Sequence, residues 1–401
     1  MSFDWIKTTW GEIASLEYGK ALKDYKSTTE GYPVYGTNGP IGFTDKYLTN
    51  GPGVIVGRKG AYRGVHYSEG PFFVIDTAYY LMPFSREQVD IKWAYYNLKN
   101  IDINNLDSGS AIPSTSRADF YSLNVLLPSI VEQISIRNIL DSLDKKIELN
   151  NAINKNLEEM AQALFKRWFI DFEFPNENGE PYKSSRGEFE ESELGLIPRG
   201  WRVLELGEII ASISETYKTD KEKLIFLNTS DISEGKVLNK VYSDVSSLPG
   251  QAKKKIRRDD ILYSEIRPQN KRYAYINFDA EDYIVSTKLM VLRSQKKSQS
   301  IFVYFYLTNS IVIDYLQMLA EARSGTFPQI TYQQIKTLKI CLPEDVELKR
   351  YSNIIESILK KIQHNNQEIN NLNNIRDSLL PKLMSGEIRV PLDEQELVIS
   401  E

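Results

Sequence analysis

The chain has 401 residues, enough for two or three domains at the usual size of about 150 residues each. Its single cysteine, Cys341, excludes a disulfide framework and a thiolate metal cluster, and its two histidines, His66 and His364, argue against a histidine-rich metal site. The formal net charge of −5 weighs, taken alone, against a protein that binds a polyanion.

Two segments bear on the cellular compartment. Residues 1–5 lack the basic stretch and apolar run of a secretory signal. The most apolar window, residues 301–320, contains Asn309, Asp314 and Gln317, which a membrane span would have to bury. We therefore expect a buried helix there, no contact with a membrane, and a soluble protein of the cytoplasm.

Residues 1–128 and 200–343 are predicted to be two compact α/β (α+β) domains of irregular topology. In the first, apolar runs at 53–56 and 72–82 are separated by turns of Gly, Asn and Pro, and a short helix is expected near 91–97. The second has runs of the same kind at 223–227, 260–263 and 283–292, with a helix expected near 301–319.

A long helical segment follows each domain, at residues 129–172 and 344–386. Apolar and amide side chains recur there at alternating three- and four-residue steps, the a/d spacing of a coiled coil. The first helix would be about 60 Å long, more than one small domain covers, so we expect the two helices to pair in antiparallel orientation. The repeating positions are Leu140, Leu143, Ile147, Asn150, Asn154, Leu157, Ala161, Leu164 and Trp168 in the first helix, and Ile355, Ile358, Ile362, Asn365, Ile369, Leu372, Arg376 and Leu379 in the second.

Asn150 lies near the centre of the first helix, and Asn365 is its counterpart in the second. Residues near the two midpoints of an antiparallel pair face each other, so these amides either meet across the seam or, in another heptad phase, face solvent. A buried asparagine pair would fix the register of the helices, because any slip leaves an amide among aliphatic side chains.

An internal duplication organises the chain. Trp5 and the tripeptide at 11–13 match Trp201 and the tripeptide at 207–209, both Gly-Glu-Ile, at an offset of 196 residues. Ser108-Gly109 and Pro113 are matched by Ser324-Gly325 and Pro328, and from Pro113 onward the offset stays at 215. The second copy therefore carries a net insertion of 19 residues.

Acidic residues are concentrated between the copies and at the C-terminus. Residues 171–193 carry a net charge of −6 and residues 387–401 carry −4, so subtracting both from the total of −5 leaves +5 on the other 363 residues. Acidic stretches with Gly, Pro and Ser are typical of solvated linkers and tails. We assign residues 173–199 as an acidic connector and 387–401 as an acidic tail.

Basic residues are concentrated in two loops. Residues 253–272 contain eight Lys and Arg against three acids, and the glycine-rich loop 57–64 contains Arg58, Lys59 and Arg63. Both loops also contain Tyr, Ser, Asn or Gln near the basic residues, side chains that hydrogen-bond phosphates and base edges. For either loop alone, a solvated surface loop is the simpler interpretation.

Motifs for catalysis are missing from the sequence. It has no Gly-x-x-x-x-Gly-Lys-Ser/Thr loop, no Gly-x-Gly-x-x-Gly turn after a strand and no Asn/Asp-Pro-Pro-aromatic tetrapeptide of an adenine methyltransferase. Asp259, Asp260, Glu265 and Arg267 form a nuclease-like set, although such sets are more often solvated. The pattern indicates a recognition protein.

Two variable domains alternating with two repeated long helices resemble the specificity (S) subunit of a type I restriction-modification system. The resemblance rests on residues 127–133 leading into 139–147, on 157–169 and on 192–201, and with the duplication it covers most of the chain. Two departures are Glu347-Leu348 in place of Glu132-Gln133, and Pro381 in place of Lys166, where we expect the second helix to be interrupted.

The resemblance implies a subunit that is not itself an enzyme but directs DNA methylation and phage defence by a larger complex. Each domain would be a target recognition domain that reads one half of an asymmetric bipartite site on double-stranded DNA. The helices would dock two methyltransferase (M) subunits and, where present, restriction and translocation (R) subunits. S-adenosylmethionine, ATP and Mg would bind to those partners, with no metal or cofactor in this chain.

Candidate DNA-binding residues come from the basic loops and from the segments after Pro113 and Pro328. Glycines let a backbone approach DNA closely, Arg and Gln read guanine and adenine, and Lys more often holds phosphate. In the first domain the candidates are Arg58, Lys59, Tyr62, Arg63, Ser114, Thr115 and Arg117; in the second they are Lys254, Lys255, Arg257, Arg267, Gln269, Lys271, Arg272, Arg323, Thr326, Gln329 and Thr331.

Two other functions stay open from the residues alone. A self-contained, metal-dependent DNA endonuclease would cleave DNA as an isolated chain with magnesium. A coiled-coil scaffold without a DNA function would show no salt-dependent binding to DNA, even with its partners present.

Overall fold

Two compact units make up the fold, and each contains one domain body with one half of each long helix. The structure is a computed structural model that describes residues 5–106, 113–217 and 220–391. Unit 1 comprises Met1–Asn150 and Asn366–Glu401, and unit 2 comprises Asn151–Asn365. The repeated Ser108-Gly109 and the tail from residue 392 onward lie outside the described residues.

Short strands dominate the body of unit 1. In chain order the elements up to the first long helix are β1 (Ile6–Thr9), α1 (Trp10–Ile13), β2 (Ala14–Tyr18), β3 (Tyr32–Gly36), β4 (Gly39–Thr44), β5 (Gly53–Gly57), β6 (Val65–Ser68), β7 (Phe73–Val74), β8 (Ala78–Pro83), α2 (Ile91–Lys99), α3 (Arg117–Ser122), β9 (Asn124–Leu127) and α4 (Ile130–Phe165). The sheets have the orders β2-β8-β5-β6 and β4-β3-β7, and β1 pairs with β9. Within these sheets β3 and β7 are parallel, and the other pairs are antiparallel.

The predicted elements of this body are confirmed in their main features. Val54, Ile55 and Val56 are fully buried in β5, an interior strand of its sheet, as expected for a continuous apolar run. The run at 72–82 is divided into β7 and β8. Helix α2 begins after Asp90, whose carboxylate accepts hydrogen bonds from the amides of residues 92 and 93.

Unit 2 contains the remaining elements. They are β10 (Phe189–Ser192), β11 (Gly195–Pro198), β12 (Arg202–Glu205), β13 (Ala211–Ile213), β14 (Lys223–Leu227), β15 (Ile232–Ser233), β16 (Lys236–Val237), β17 (Tyr242–Asp244), β18 (Ala252–Lys255), β19 (Ile261–Ser264), β20 (Tyr273–Tyr275), β21 (Tyr283–Ser286), β22 (Leu289–Arg293), α5 (Lys297–Leu307), α6 (Ser310–Arg323), α7 (Tyr332–Lys336), β23 (Lys339–Leu342) and α8 (Asp345–Ser385), whose C-terminal half belongs to unit 1. Its larger sheets have the orders β13-β22-β19-β20 and β17-β14-β21-β18, and β12 pairs with β23.

The strand orders show that the sequence duplication is a duplication of topology. The order β13-β22-β19-β20 repeats β2-β8-β5-β6, and the pair β12-β23 repeats β1-β9. The second sheet has three strands in unit 1 and four in unit 2, which also has the pair β15-β16. A further difference follows α2 and α5, where unit 2 adds α6 and the described part of unit 1 has only the 3-10 turn Ile103–Asn105. The single helix expected at 301–319 is therefore wrong: Asn309 accepts a hydrogen bond from the amide of Ile311 and starts a new helix.

The repeated Gly-Glu-Ile tripeptide has a packing role in both units. A Cβ atom on Gly11 would lie 2.8 Å from the Cβ of Tyr121, and one on Gly207 would lie 2.9 Å from the Cβ of Lys336. Each glycine thus lets the start of the body contact the short helix before the closing strand. The glutamate that follows caps the same turn: Glu12 accepts the amide of Thr9 at 3.1 Å.

The halves of the long helices pair in antiparallel orientation within each unit. In unit 1 the guanidinium of Arg376 donates to Asp144 at 2.8 Å, while Phe165 and Tyr351 pack at 6.1 Å between ring centroids in unit 2. Most predicted a/d positions are buried or half-buried along both helices. The fold class of two α+β bodies with two antiparallel long helices is therefore confirmed.

The two central asparagines are buried but bond to other partners than expected. Asn150 and Asn365 are each 1% exposed. Asn150 donates to Glu368 at 2.9 Å, and Asn365 donates to Asn154 at 2.8 Å. The prediction paired Asn150 with Asn365, and each observed partner lies about one helical turn beyond the predicted one. The observed pairing therefore differs from the predicted register by about one turn.

Pro381 does not interrupt the second helix. Helix α8 continues through it to Ser385: the proline is exposed and lies within the last five residues of the helix, where its missing N–H removes one hydrogen bond close to the terminus. In the first copy the corresponding residue, Lys166, begins a π-helical turn that ends at Ile170.

The acidic connector is a packed structure, and its interpretation as a solvated linker is wrong. Strands β10 and β11 form a hairpin within it. Phe174 stacks on Trp201, with 4.9 Å between ring centroids, and on Tyr182, with 4.5 Å. Aromatic residues spaced among the acids supply this small core. The described start of the tail also packs, since Arg389 donates to Glu132 at 3.0 Å.

Membrane insertion has no support among the described helices, none of which is long and apolar enough to cross a bilayer.

Replacing Gly11 with alanine is expected to lower the free energy of unfolding of unit 1 by about 1–3 kcal/mol, because the new methyl group collides with Tyr121. Urea unfolding followed by tryptophan fluorescence measures the loss. Gly70→Ala is the matched control, since a Cβ there meets nothing within 4 Å. Equal stability of the two variants would contradict the packing role of Gly11.

Candidate nucleic-acid interface

In each unit the structure brings together the two groups of candidate residues that are distant in sequence. The loop between β5 and β6 lies against the segment after Pro113: the amide of Gly60 donates to the Pro113 carbonyl at 2.9 Å, and that of Thr115 to the Arg58 carbonyl at 2.8 Å. In unit 2 the loop between β19 and β20 makes the same bonds, from Arg267 to Pro328 at 3.1 Å and from Ile330 to Glu265 at 2.8 Å.

The exposed side of this ladder in unit 1 is basic and aromatic. Lys59 and Tyr62 are exposed at the tip of the loop, and Lys59 pairs with Ser114 through a backbone bridge. The Lys59 ammonium lies 3.9 Å from the Asp76 carboxylate, a contact that solvent screens strongly. These side chains can meet a ligand without rearrangement of the core.

Tyr18, at the end of β2, joins two of the predicted arginines and is a site residue that sequence reasoning missed. The Cζ atoms of Arg58 and Arg117 lie 4.8 and 5.0 Å from the centroid of its ring. The adjacent Arg117 guanidinium lowers the pKa of the Tyr18 hydroxyl. An exposed aromatic at a strand end is too common in sequences to have marked this residue.

Arg63 and Thr115 are used inside the protein. Arg63 is 4% exposed, and its guanidinium donates to the carbonyls of Gly60 at 3.2 Å and Asn104 at 2.9 Å. The Thr115 hydroxyl donates to the Gly57 carbonyl at 2.8 Å. Their side chains stabilise the loop by binding backbone carbonyls. This geometry does not support their prediction as DNA contacts.

Lys254 likewise has a structural role in unit 2. Its ammonium donates to the carbonyls of Thr287 at 3.0 Å and Leu289 at 2.8 Å, and burial lowers its pKa. Its neighbour in β18, Lys255, is exposed, as is Arg257 just beyond the strand. Of these three candidates, one lysine therefore joins strands and two cations face solvent.

The other candidates in unit 2 surround the turn Pro268–Asn270. Arg267, Gln269 and Lys271 are exposed on it, and Arg267 donates to the carbonyl of Thr326 at 3.2 Å. Lys271 lies 3.3 Å from Glu234. The remaining candidates near this turn are the exposed Arg323 and Thr326, the half-buried Arg272 and Gln329, and Thr331, which caps α7.

The nuclease-like set of acids does not form a metal site. Asp260 is fully buried and accepts two hydrogen bonds from Arg293, at 2.6 and 2.8 Å. Asp259 accepts the hydroxyl of Tyr275 at 2.6 Å, and Glu265 lies 3.6 Å from Lys288. Each carboxylate thus has a separate partner, and the described part of the chain contains no group of three or more potential metal ligands.

Comparison with known proteins gives a family match over both copies of the duplication. The family model described as "Type I restriction modification DNA specificity domain" matches residues 3–159 and again residues 198–374. The two matched stretches together cover most of the chain and correspond to the repeats recognised in the sequence.

Several curated relatives carry the same designation. The HindI specificity subunit of Haemophilus influenzae is 38% identical over 45% of this chain, which spans only 39% of that subunit. The MjaIX specificity subunit of Methanocaldococcus jannaschii is 24% identical over 76% of this chain and 71% of its own length. The EcoDI specificity subunit of Escherichia coli is 24% identical over 96% of this chain and 89% of its own length.

One solved structure shares the fold over almost the full length. The crystal structure of a type I restriction-modification S subunit from M. genitalium superposes with a TM-score of 0.61 at 20% identity, and the match covers 96% of both chains.

Asp260→Asn is expected to lower the free energy of unfolding by about 3–5 kcal/mol, because it leaves the Arg293 guanidinium without its buried carboxylate. Chemical unfolding of the full chain measures the effect. Glu281→Gln, at an exposed carboxylate on the same body, is the matched control and should change stability little. A loss of DNA function with unchanged stability would contradict the structural role of Asp260.

Proposed function

Since the chain belongs to the family of type I restriction-modification DNA specificity subunits, we propose that each of its two bodies reads one half of an asymmetric bipartite site on double-stranded DNA. The observation that carries this proposal is the repeated ladder of backbone hydrogen bonds, which presents one loop in each unit on the same scaffold. Membership of this family assigns DNA recognition to this chain and catalysis to other subunits of the complex.

The asymmetry of the site follows from different side chains on equivalent backbone. At the positions of Arg58 and Gly60 in unit 1, the ladder of unit 2 has Glu265 and Arg267. Base edges are distinguished by the donors and acceptors that meet them, so loops of such different chemistry select different bases. The two half-sites are therefore expected to differ in sequence.

DNA and the methyltransferase and restriction subunits are the partners that family membership implies. We propose that two M subunits bind, one on the helices of each unit. The support is a repeated pair of exposed apolar side chains away from the helix seam: Ile139 and Ile375 in unit 1 correspond, at the offset of 215, to Ile354 and Met160 in unit 2. Equivalent apolar surfaces fit two copies of one partner.

Cofactors are assigned to the partner subunits on the same basis. We propose that S-adenosylmethionine binds to the M subunits, that ATP and Mg bind to the restriction subunits, and that the complex acts in the cytoplasm, where the host DNA lies.

Deletion of the gene should remove a single bipartite adenine-methylation motif from the genome, since the partners lose the subunit that selects their site. Methylation-aware sequencing of strains with and without the gene measures this, and complementation with the wild-type gene should restore the motif. Persistence of every motif would refute the proposed function. Magnesium-dependent cleavage of DNA by the purified chain would instead favour the alternative function of a self-contained endonuclease.

Substituting the repeated apolar pair in one unit is expected to halve the number of bound M subunits. Ile139→Glu with Ile375→Glu should give complexes with one M subunit, and Ile354→Glu with Met160→Glu should do the same, because a charge is poorly buried in an apolar contact. Native mass spectrometry counts the subunits.

Leu149→Glu is the matched control for this experiment. Leu149 is exposed on α4, but its counterpart in the second copy is His364, so it is not part of a repeated apolar pair. We expect this variant to bind two M subunits. Two bound M subunits on the doubly substituted chains would contradict the assigned surface.

A further inference from the structure

Two arginines of unit 1 lie against one tyrosine ring at the protein surface. Arg58 follows β5, Arg117 begins α3, and their Cζ atoms lie 4.8 and 5.0 Å from the ring centroid of Tyr18. The ring is 46% exposed, and Tyr79 supports it edge-on at 5.1 Å. Three elements thus converge on one aromatic platform.

Hydrogen bonds within the protein fix both guanidinium groups. Arg58 donates through Nη1 to the carbonyl of Asp76 at 2.9 Å. Arg117 donates through Nε and Nη2 to the Tyr121 hydroxyl oxygen, at 3.2 and 2.7 Å, and that oxygen also accepts the amide of Leu16 at 3.0 Å. Because these contacts exist without a ligand, binding would cost little side-chain entropy.

Neither of these two guanidinium groups has a carboxylate partner among the residues that the structure describes. Their described hydrogen bonds end on carbonyl and phenol oxygens, which are neutral acceptors and do not cancel a positive charge. Arg293, in contrast, contacts the carboxylates of Asp260 and Glu215. Two cations on one partly exposed ring, with no carboxylate partner in the described part of the chain, attract an acceptor-rich or anionic group.

The fold does not require this cluster, because the second unit builds the same backbone without it. Tyr18 corresponds to Ser214 at the offset of 196, and Arg117 to Tyr332 at the offset of 215. The position of Arg58 in the backbone ladder is taken by Glu265. A cluster that the shared scaffold can omit is available for a purpose specific to unit 1.

Building on the proposed function, we propose that Tyr18 is a positioning residue for sequence reading: it orients Arg58 and Arg117 so that this arginine pair reads a guanine in the half-site of unit 1. The planar guanidinium fork matches the O6 and N7 acceptors of guanine in the major groove. A phosphate contact accepts any cation, whereas a base edge requires a fixed orientation, which the platform supplies.

The test uses the assembled methyltransferase complex and a DNA library in which each position of the recognised site is varied. Tyr18→Leu is expected to reduce discrimination at one G·C pair of one half-site by about 10- to 100-fold, leaving the other half-site unchanged. Tyr18→Phe keeps the ring and should keep the preference. Arg58→Lys keeps the positive charge but removes the planar guanidinium, so the complex should lose its preference at that G·C pair.

Tyr47→Leu is the matched control, since Tyr47 is another exposed tyrosine of unit 1 that packs edge-on against Tyr32 alone among the described rings. It should leave both half-sites unchanged. If Tyr18→Leu proves unstable in thermal unfolding, Arg58→Lys decides the question, because it alters only the end of a surface side chain.

Two results would overturn the proposal. Uniform weakening on all sequences by Tyr18→Leu, with a reduced salt dependence, would assign the cluster to phosphate. Full preference in Arg58→Lys would show that charge without the fork suffices. A wild-type complex whose methylation depends on no motif would refute the proposed function itself, which is a different outcome from either of these.

Discussion

Two backbone hydrogen bonds in each unit hold the exposed loop of the body against the segment after Pro113 or Pro328. They use no side-chain atoms, so the loop keeps its geometry while the residues on it change. Arg58 and Glu265, with opposite charges, occupy the same point of this ladder. The rest of each body, with its four-stranded sheet and its closing strand pair, serves to present that loop.

The long helices follow the opposite rule, because their seam depends on side chains. A buried amide is tolerated among aliphatic residues only where another polar group meets it. Glu368 and Asn154 meet Asn150 and Asn365, which disfavours any other register. Away from the seam two exposed apolar positions, Ile139/Ile354 and Met160/Ile375, repeat between the copies, so the helices combine one fixed pairing with two similar outer surfaces.

Charge counts alone predicted a solvated connector and an exposed, DNA-binding Lys254, and the structure differs from both predictions for the same physical reason. Net charge describes the field of a segment, whereas burial depends on which side chains share a face with apolar neighbours. Phe174 and Tyr182 give the acidic connector a core. Lys254 alternates with the exposed Lys255 along β18, and this period of two places its chain inward, where two strand carbonyls accept its ammonium.

The sequence by itself determined the duplication, the two bodies, the two heptad helices and the family, because periodic apolar positions and repeated motifs are local properties of the chain. It also identified both loops of the candidate interface. Only the tertiary structure decided which basic residues face solvent and which join strands, as for Lys59 and Arg63. It alone brought Tyr18 between Arg58 and Arg117, since contacts between distant segments depend on how sheets and helices pack, which no local pattern encodes.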